Sequence, residues 1–354
     1  MRPWLGDSMS YREDRQLDEL DISILKRLTA DGRRRFTEIA DELNVSHGTI
    51  RNRYQRMQEL NALKIASWLD PQRVGFHAGA QVKFSVESPY LEEATAAICA
   101  FPEVTWLGET MSGFNLMADV FCQDIQNLKW FVTGDLRMVP GVRTMGVRVY
   151  SRMHKVSTLP SLDLLDCAPR RTGDQAGWDL PAQDLGLSLR APASNVSTLD
   201  ELDIAILEHL SVDGRRPFTE IAEALGVSHG TIRNRYLRML EANAVKVMCW
   251  LEPNQVGFHA VAHVDFSFEV PHLEEAAARI ATFPEVAWLS GVIGEFNLMA
   301  DIFCVDLGCL DALLAERLSK IAGLRHMEVA LYSQIRKITT MPNLELLKRR
   351  IGNG

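Results

Sequence analysis

The sequence predicts an α+β chain: two winged helix-turn-helix domains and two ferredoxin-like β-α-β-β-α-β domains, arranged in tandem. Three observations carry that reading. A segment of domain size repeats at an offset of 182 residues, without a gap, from Leu17/Leu199 to Pro160/Pro342. Each copy opens with apolar residues at helical spacing and then alternates strand and helix patterns. The ten letters VSHGTIRNRY at Val45–Tyr54 return unchanged at Val227–Tyr236. Identity that extends to the polar positions implies that both copies meet the same kind of partner.

The elements follow in order. Residues 1–16 read as a tail. In residues 17–65, LDELDISILKRL opens a helix: Asp18 caps its first turn, Asp21 stands three residues on, and Ile22, Leu25 and Leu28 follow at helical spacing. Asp31-Gly32 stops it. FTEIADEL makes a second short helix with Ile39 and Leu43 on one face. Pro217 precedes its counterpart, where a missing N–H costs least. Asn44-Val45, or Gly226-Val227 in the second copy, makes a tight turn. Ser46 then caps a third helix whose buried face is Ile50, Tyr54 and Met57. Two short helices, a turn and a capped third helix form a helix-turn-helix.

Residues 66–160 hold the sandwich. LKIASWLD, straddling the boundary, is a strand or wing, and GFHAGAQVKFSVE a longer strand. LEEATAAICAF is an amphipathic helix, EVTWLGETM and FNLMADVFC are strands, IQNLKWFVTGDL is a helix and GVRTMGVRVYSRM a final strand. Such a sheet has one open face, and pairing with the second copy covers it economically. Residues 161–198, rich in Pro, Gly, Ser and Asp, read as a linker with a short helix at Leu162–Leu165. It is long enough for the copies to meet side by side. Residues 199–247 and 248–342 repeat the two domains, and 343–354 are a tail.

Composition bounds the partners. Hydrophobic content of 47% and charged content of 24% fit a soluble globular protein of several domains. No apolar run reaches the length of a membrane span and the first residues lack a signal-peptide pattern, so a cytoplasmic location without a membrane partner is expected. The six cysteines show neither CxxC pairing nor metal spacing, and neither metal nor cofactor is expected. The net charge of −8 is only a sum: Arg33, Arg34, Arg35, Arg51, Arg53 and Arg56 make one stretch locally basic.

That stretch fits double-stranded DNA. Opposite the buried face of the third helix stand Ser46, His47, Gly48, Thr49, Arg51, Asn52, Arg53 and Arg56, with Ser228, His229, Gly230, Thr231, Arg233, Asn234, Arg235 and Arg238 in the second copy. In a major groove Arg bonds guanine in two-pronged fashion, Asn does the same to adenine, and Thr meets a methyl group or phosphate. Gly48 lets the backbone approach a phosphate closely. Arg33 and Arg34, with Arg215 and Arg216, are placed to clamp the DNA backbone. A solvated basic face is the bland alternative; the Ser cap, turn and placement together favour DNA.

A helix-turn-helix followed by β-α-β-β-α-β resembles the Lrp/AsnC (leucine-responsive/asparagine-regulator) family of bacterial and archaeal transcription regulators. The matching stretches are LDELDISIL, DGRRRFTEIADELNVS, the basic third helix, FPEV and FNLMADVF. The resemblance spans both copies. It implies that the second domain of each unit, the RAM domain, drives self-association and takes a small amino-acid-like effector. Effector contacts would fall at the turn between the middle strands, on Ser112, Gly113 and Asn115 and on Gly294 and Asn297. The family commonly has Gly-x-x-Asp there; Asn in place of Asp removes a carboxylate that pairs with an ammonium group. His47 and His229 stand where the family often has Pro, and most members carry one unit where this chain carries two.

The expectation is a sequence-specific regulator whose fused units act as a pseudo-dimer on a near-palindromic operator, with effector control at the RAM domains. One rival is an architectural DNA-binding protein of low specificity. The other is an enzyme, because the siroheme decarboxylases resemble this chain in architecture. Their His-, Arg- and Tyr-rich motifs are replaced by Trp106-Leu107-Gly108-Glu109 and Trp288-Leu289-Ser290-Gly291. His77 and His259, each alone at a strand start, read as structural. No enzyme activity is expected.

Overall fold

The computed structural model describes residues 17–157, 160–166, 199–339, 344, 346 and 347. The expected N-terminal tail and residues 167–198 of the expected linker lie outside the described residues.

The first helix-turn-helix consists of α1 (Glu19–Ala30), α2 (Phe36–Leu43) and α3 (His47–Glu59). Asp18 and Asp21 form a capping box at the head of α1, each carboxylate accepting from the other's backbone N–H. Asn44 ends α2 in the left-handed conformation at φ 54°, which Asn tolerates, and Gly226 does so at φ 66° in the second copy. The Ser46 hydroxyl accepts from the Thr49 N–H at 3.1 Å and starts α3. Then come β1 (Leu63–Leu69), β2 (Ala78–Val86), α4 (Leu91–Ala100), β3 (Val104–Met111), β4 (Leu116–Cys122), α5 (Ile125–Thr133), β5 (Val142–Val156) and a 3-10 turn at Leu162–Asp166. The second copy repeats the order: α6 (Glu201–Val212), α7 (Phe218–Leu225), α8 (His229–Glu241), β6 (Val245–Leu251), the one-turn α9 (Pro253–Val256), β7 (Ala260–Phe268), α10 (Leu273–Ala281), β8 (Val286–Ile293), β9 (Leu298–Cys304), α11 (Leu307–Ala312) and β10 (Leu324–Ile338).

β1 is not a wing. It pairs antiparallel with β6, Leu63 opposite Leu251 and Leu69 opposite Val245. Ala66 faces Met248, its own repeat equivalent, so a pseudo-twofold axis passes between them. The reason is composition: Ile65, Ala66, Trp68 and Leu69 are buried, and a solvent-exposed wing would leave them wet.

In the first copy the strand order is β3-β4-β2-β5, all antiparallel, the ferredoxin-like pattern. The edges do not stay open. β5 pairs with β8 and β10 pairs with β3, so the two sheets close one eight-stranded barrel within a single chain. Alternate residues point to opposite faces. Ala80, Val82 and Phe84 meet Ala94 and Ile98 of α4 and Leu128 of α5, and the second copy repeats this with Ala262, Val264 and Phe266. On the other face Phe121, Tyr150, Met153, Val292 and Met299 pack together, joined by Trp68, Met248 and Trp250 from the ribbon.

The copies are interlocked. The core of the first helix-turn-helix contains Cys249, Leu251, Phe258 and Phe303 of the second copy. The core of the second contains Leu69, Val74 and Phe76 of the first, and Leu344, Leu346 and Leu347 near the C-terminus. Leu162 of the 3-10 turn is buried in the first of these cores, and Asp163 pairs with Lys26 at 2.6 Å.

Candidate nucleic-acid interface

From His47 to Arg56, α3 exposes the same residues as α8 apart from Gln55, which is Leu237 there. His47, Gly48, Arg51, Asn52 and Arg56 are exposed, as are His229, Gly230, Arg233, Asn234 and Arg238. Ile50, Tyr54 and Met57 face the core, as their spacing predicts. The Ser46 hydroxyl is committed to the cap and lies 2.8 Å from the Thr49 hydroxyl, so this pair shapes the first turn. The His47 ring stands 6.3 Å from Phe36, tilted, and the residue is exposed. Gly48 has room around it: an added Cβ would meet only the Ser46 hydroxyl, at 3.7 Å. Arg51 and Arg233 engage no carboxylate among the described residues.

Arg53 and Arg235 do not face outward. Arg53 pairs with Asp18 and, at 3.2 Å, with Asp21; Arg235 pairs with Asp200 at 2.6 Å and Asp203 at 3.0 Å. Asp21 and Asp203 are fully buried and also hold Arg56 and Arg238. A buried carboxylate needs such partners, since an unpaired one would be strongly disfavoured. The Arg53 hydrogen bond, with the capping N–H of Asp21, holds the Asp18 carboxyl below its usual range. Arg53 and Arg235 therefore tie the reading helix to the head of α1 or α6 and are corrected from base contact to support. Arg56 and Arg238 keep about half of their side-chain surface and face both ways.

Arg33 and Arg215 also depart from expectation. Neither reaches a position from which it could clamp DNA, because each crosses into the other copy. Arg33 donates to the carbonyl oxygens of Gly214 and Arg216 and lies over the Phe218 ring, 4.4 Å from its centroid. Arg215 donates to Gly32 at 2.7 Å and Arg34 at 2.8 Å and lies over Phe36 at 4.1 Å. Burial pulls both guanidinium pKa values down. Gly32 and Gly214 let the loops touch the ribbon, since a Cβ on Gly32 would come within 2.8 Å of the Val247 carbonyl oxygen. Arg34 pairs with Glu42, and Arg216 with His209 Nδ1 at 2.6 Å and Glu220 at 3.6 Å; both remain partly exposed at the rim.

The turns expected to take an effector are built otherwise. Asn115 accepts from the Val86 N–H at 2.9 Å and donates to the Val86 carbonyl at 2.8 Å; Asn297 does the same with Phe268 at 3.0 and 2.8 Å. Both carboxamides splice the turn to the neighbouring strand, which is why Asn suits the position. The Ser112 hydroxyl closes its own turn on Phe114, and an added Cβ on Gly113 or Gly294 would meet nothing within 4 Å. Exposed His77 and His259 begin strands through their backbone N–H groups, bonded to Gln123 and Val305. Among the described residues no group of three His, Cys, Asp or Glu side chains could hold a metal, and no helix is long and apolar enough to cross a membrane.

The signals for the missed roles were in the letters. Asp21 falls on the Leu25 and Leu28 stripe, where a carboxylate is anomalous, and recurs as Asp203. DGRR recurs with its glycine, although helix termination alone explains that glycine.

The AsnC-type helix-turn-helix domain matches residues 17–58 and 199–240. The Lrp/AsnC ligand binding domain matches 260–342, and a C-terminal dimeric alpha+beta barrel domain matches 76–162. An uncharacterized HTH-type transcriptional regulator of Pyrococcus furiosus is 32% identical over 140 residues, which are 39% of this chain and 95% of the relative. LrpA of Pyrococcus horikoshii is 32% identical over 126 residues, 35% of this chain and 89% of its own length. The chain belongs to the Lrp/AsnC family. Each of these relatives is spanned almost end to end by less than half of this Lrp/AsnC chain, which carries two such units. Among solved structures, the siroheme decarboxylase NirDL aligns over 95% of this chain and 99% of its own, with a TM-score of 0.60 at 17% identity. At that identity the likeness speaks for the fold alone.

Proposed function

We propose that this Lrp/AsnC chain is a sequence-specific DNA-binding transcription regulator whose fused units act as one pseudo-dimer on a near-palindromic operator. One observation carries the reading: apart from Gln55 against Leu237, α3 and α8 expose matching polar faces from His47 to Arg56, related by the pseudo-twofold axis between Ala66 and Met248. Like faces related by a twofold read like half-sites in inverted orientation, a helical turn or a multiple of it apart. Arg51 and Arg233 are free to bond guanine, and Asn52 and Asn234 adenine. Gln55 against Leu237 is the one difference within Val45–Met57, so the operator departs from symmetry at most where that position reaches.

Random-sequence selection with the full chain tests this. The expected product is a pair of inverted, near-identical half-sites; two unrelated motifs, or one unpaired motif, would refute the pseudo-dimer. Replacing Arg51 and Arg233 with Ala is expected to weaken operator binding by ~1–3 kcal/mol per site while leaving random DNA little affected. Equal weakening on all DNA, with a shallower salt dependence, would instead make these phosphate contacts and favour the low-specificity architectural reading. No effector is assigned to the Ser112–Asn115 and Gly294–Asn297 turns, because their amides are bonded to backbone. We read the barrel as a scaffold rather than a reaction chamber, because Phe121, Tyr150 and Met153 pack between its sheets beside the buried Lys83–Asp265 pair. A tetrapyrrole absorbance band in the purified protein would reverse that statement.

A further inference from the structure

We infer that Arg33 and Arg215 fix the distance and angle between the two reading helices, and thereby decide which half-site spacing the chain accepts. The inference rests on the operator reading above. Each arginine leaves the loop after the first helix of its own domain and enters the other domain. Arg33 lies 4.4 Å from the Phe218 ring centroid and 5.6 Å from that of Tyr236, on the buried face of α8. Arg215 lies 4.1 Å from Phe36 and 5.8 Å from Tyr54, on the buried face of α3. Phe36 in turn stands 5.0 Å from Tyr54 and 6.3 Å from His47, at the exposed start of the reading helix. Each guanidinium is thus wedged between a loop it hydrogen-bonds and the helix that reads.

The two domains also meet through the β1–β6 ribbon, two strands of seven residues each, and each packs residues of the other copy into its core. Two-stranded ribbons vary widely in twist, so pairing of the strands alone does not set one angle. The arginines add two side-chain ties where the loops after α1 and α6 meet the ribbon, one on each side of the axis, and these hold one angle between the reading helices. Only a planar fork can bind two carbonyl groups while stacking on a ring; a lysine cannot. On DNA, each base pair inserted between half-sites shifts the second by about 3.4 Å and turns it by about 34°. Binding of the second head is intramolecular, and its effective concentration is high only where span and angle match. A stiff pair therefore gives one sharp optimum, and a loosened pair a low, broad one.

The test uses the full chain. Duplexes carry the selected half-sites at separations stepped by one base pair through a helical turn, and a further duplex carries one half-site alone. Binding is followed by fluorescence anisotropy for the wild type, for Arg33→Ala/Arg215→Ala and for Arg51→Ala/Arg233→Ala. The wild type should prefer one spacing by about tenfold or more over a spacing two base pairs away, and the Arg33→Ala/Arg215→Ala chain should flatten that to about threefold. Its affinity for the single half-site should stay within about twofold of wild type, because each reading face is untouched. A variant that keeps the sharp profile overturns the inference. So does one that loses single-half-site binding as Arg51→Ala/Arg233→Ala does. If the alanine variant does not fold, Arg33→Lys/Arg215→Lys keeps charge and length without the fork and should flatten the profile equally. A wild type without a preferred half-site overturns the operator reading itself, a failure distinct from an unchanged spacing profile.

Discussion

Asp119 accepts a hydrogen bond of 2.6 Å from the Tyr150 hydroxyl between the barrel strands, and burial pushes its carboxyl up to about 7. The Tyr150 bond pulls the other way and the nearby Asp301 charge adds to the rise, so desolvation wins. The sign follows from proton counting. Between pH ~4 and ~7 the folded chain holds a proton that the unfolded chain has released, so stability falls as pH rises, by at most about 1.4 kcal/mol per unit. Burial pulls His263 down, but the carboxylates of Asp265 and Asp301 overcome it and raise its pKa. Its contribution is present below the imidazole's unfolded pKa and is lost as pH rises through the folded value. Asp119→Asn keeps an acceptor for Tyr150 and has no proton to lose. Thermal midpoints at pH 5 and pH 7 should show the variant gaining on the wild type at the higher pH, with a residual slope from His263. Parallel profiles would mean that Asp119 ionises freely.

The α1–α2 loop and the start of α3 each carry a glycine, and the two should respond oppositely to a methyl group. On Gly32 it would meet the Val247 carbonyl oxygen at 2.8 Å, with Ile65 and Val247 side chains at 3.1 Å. The ribbon backbone cannot retreat without breaking its pairing, so Gly32→Ala should destabilise by about 1–3 kcal/mol. On Gly48 the methyl meets only a hydroxyl at 3.7 Å, and Gly48→Ala should stabilise α3 by up to ~1 kcal/mol. If Gly48→Ala also weakens DNA binding, the backbone there lies close to a phosphate; unchanged binding would remove Gly48 from the interface. Chemical denaturation and anisotropy read the two effects separately. The same elements show what was legible. The caps at Asp18 and Ser46, the left-handed Asn44 and the Ile50–Tyr54–Met57 stripe are local, so the helices could be read from the letters. β1 was legible as a strand but not in its pairing, because its partner lies in the other copy. Arg33 and Arg53 looked like DNA contacts because charge within a basic stretch does not reveal direction. The buried Asp21 and the carbonyls of Gly214 and Arg216 decide it, and those contacts are long-range.

At the scale of the whole molecule the repeat is symmetric in fold and asymmetric in charge. Lys83 and Asp265 are repeat equivalents, and they pair with each other across the pseudo-twofold axis inside the barrel, both almost fully buried. Arg148 of the first copy adds a second cation 3.5 Å from Asp265, where the second copy has Ala330. His263, 3.3 Å from Asp265, is the equivalent of Gln81. Two identical first copies would set Lys83 against Lys83 beside two arginines, and two identical second copies would set Asp265 against Asp265. Either arrangement buries like charges, so each copy is built to accept the other and to reject itself. Lys83→Asp and Asp265→Lys, made singly in the full chain, should each destabilise by about 3–5 kcal/mol, the range for a buried charge deprived of its partner. Combining them restores opposite charges at the axis. Arg148 and His263 still suit the original polarity, so recovery should be partial. The double-mutant cycle should nevertheless give a coupling of at least ~1 kcal/mol in favour of the double variant. Strict additivity in denaturant melts would mean that the pair merely occupies space, and that packing across the β5–β8 and β10–β3 seams alone joins the two copies.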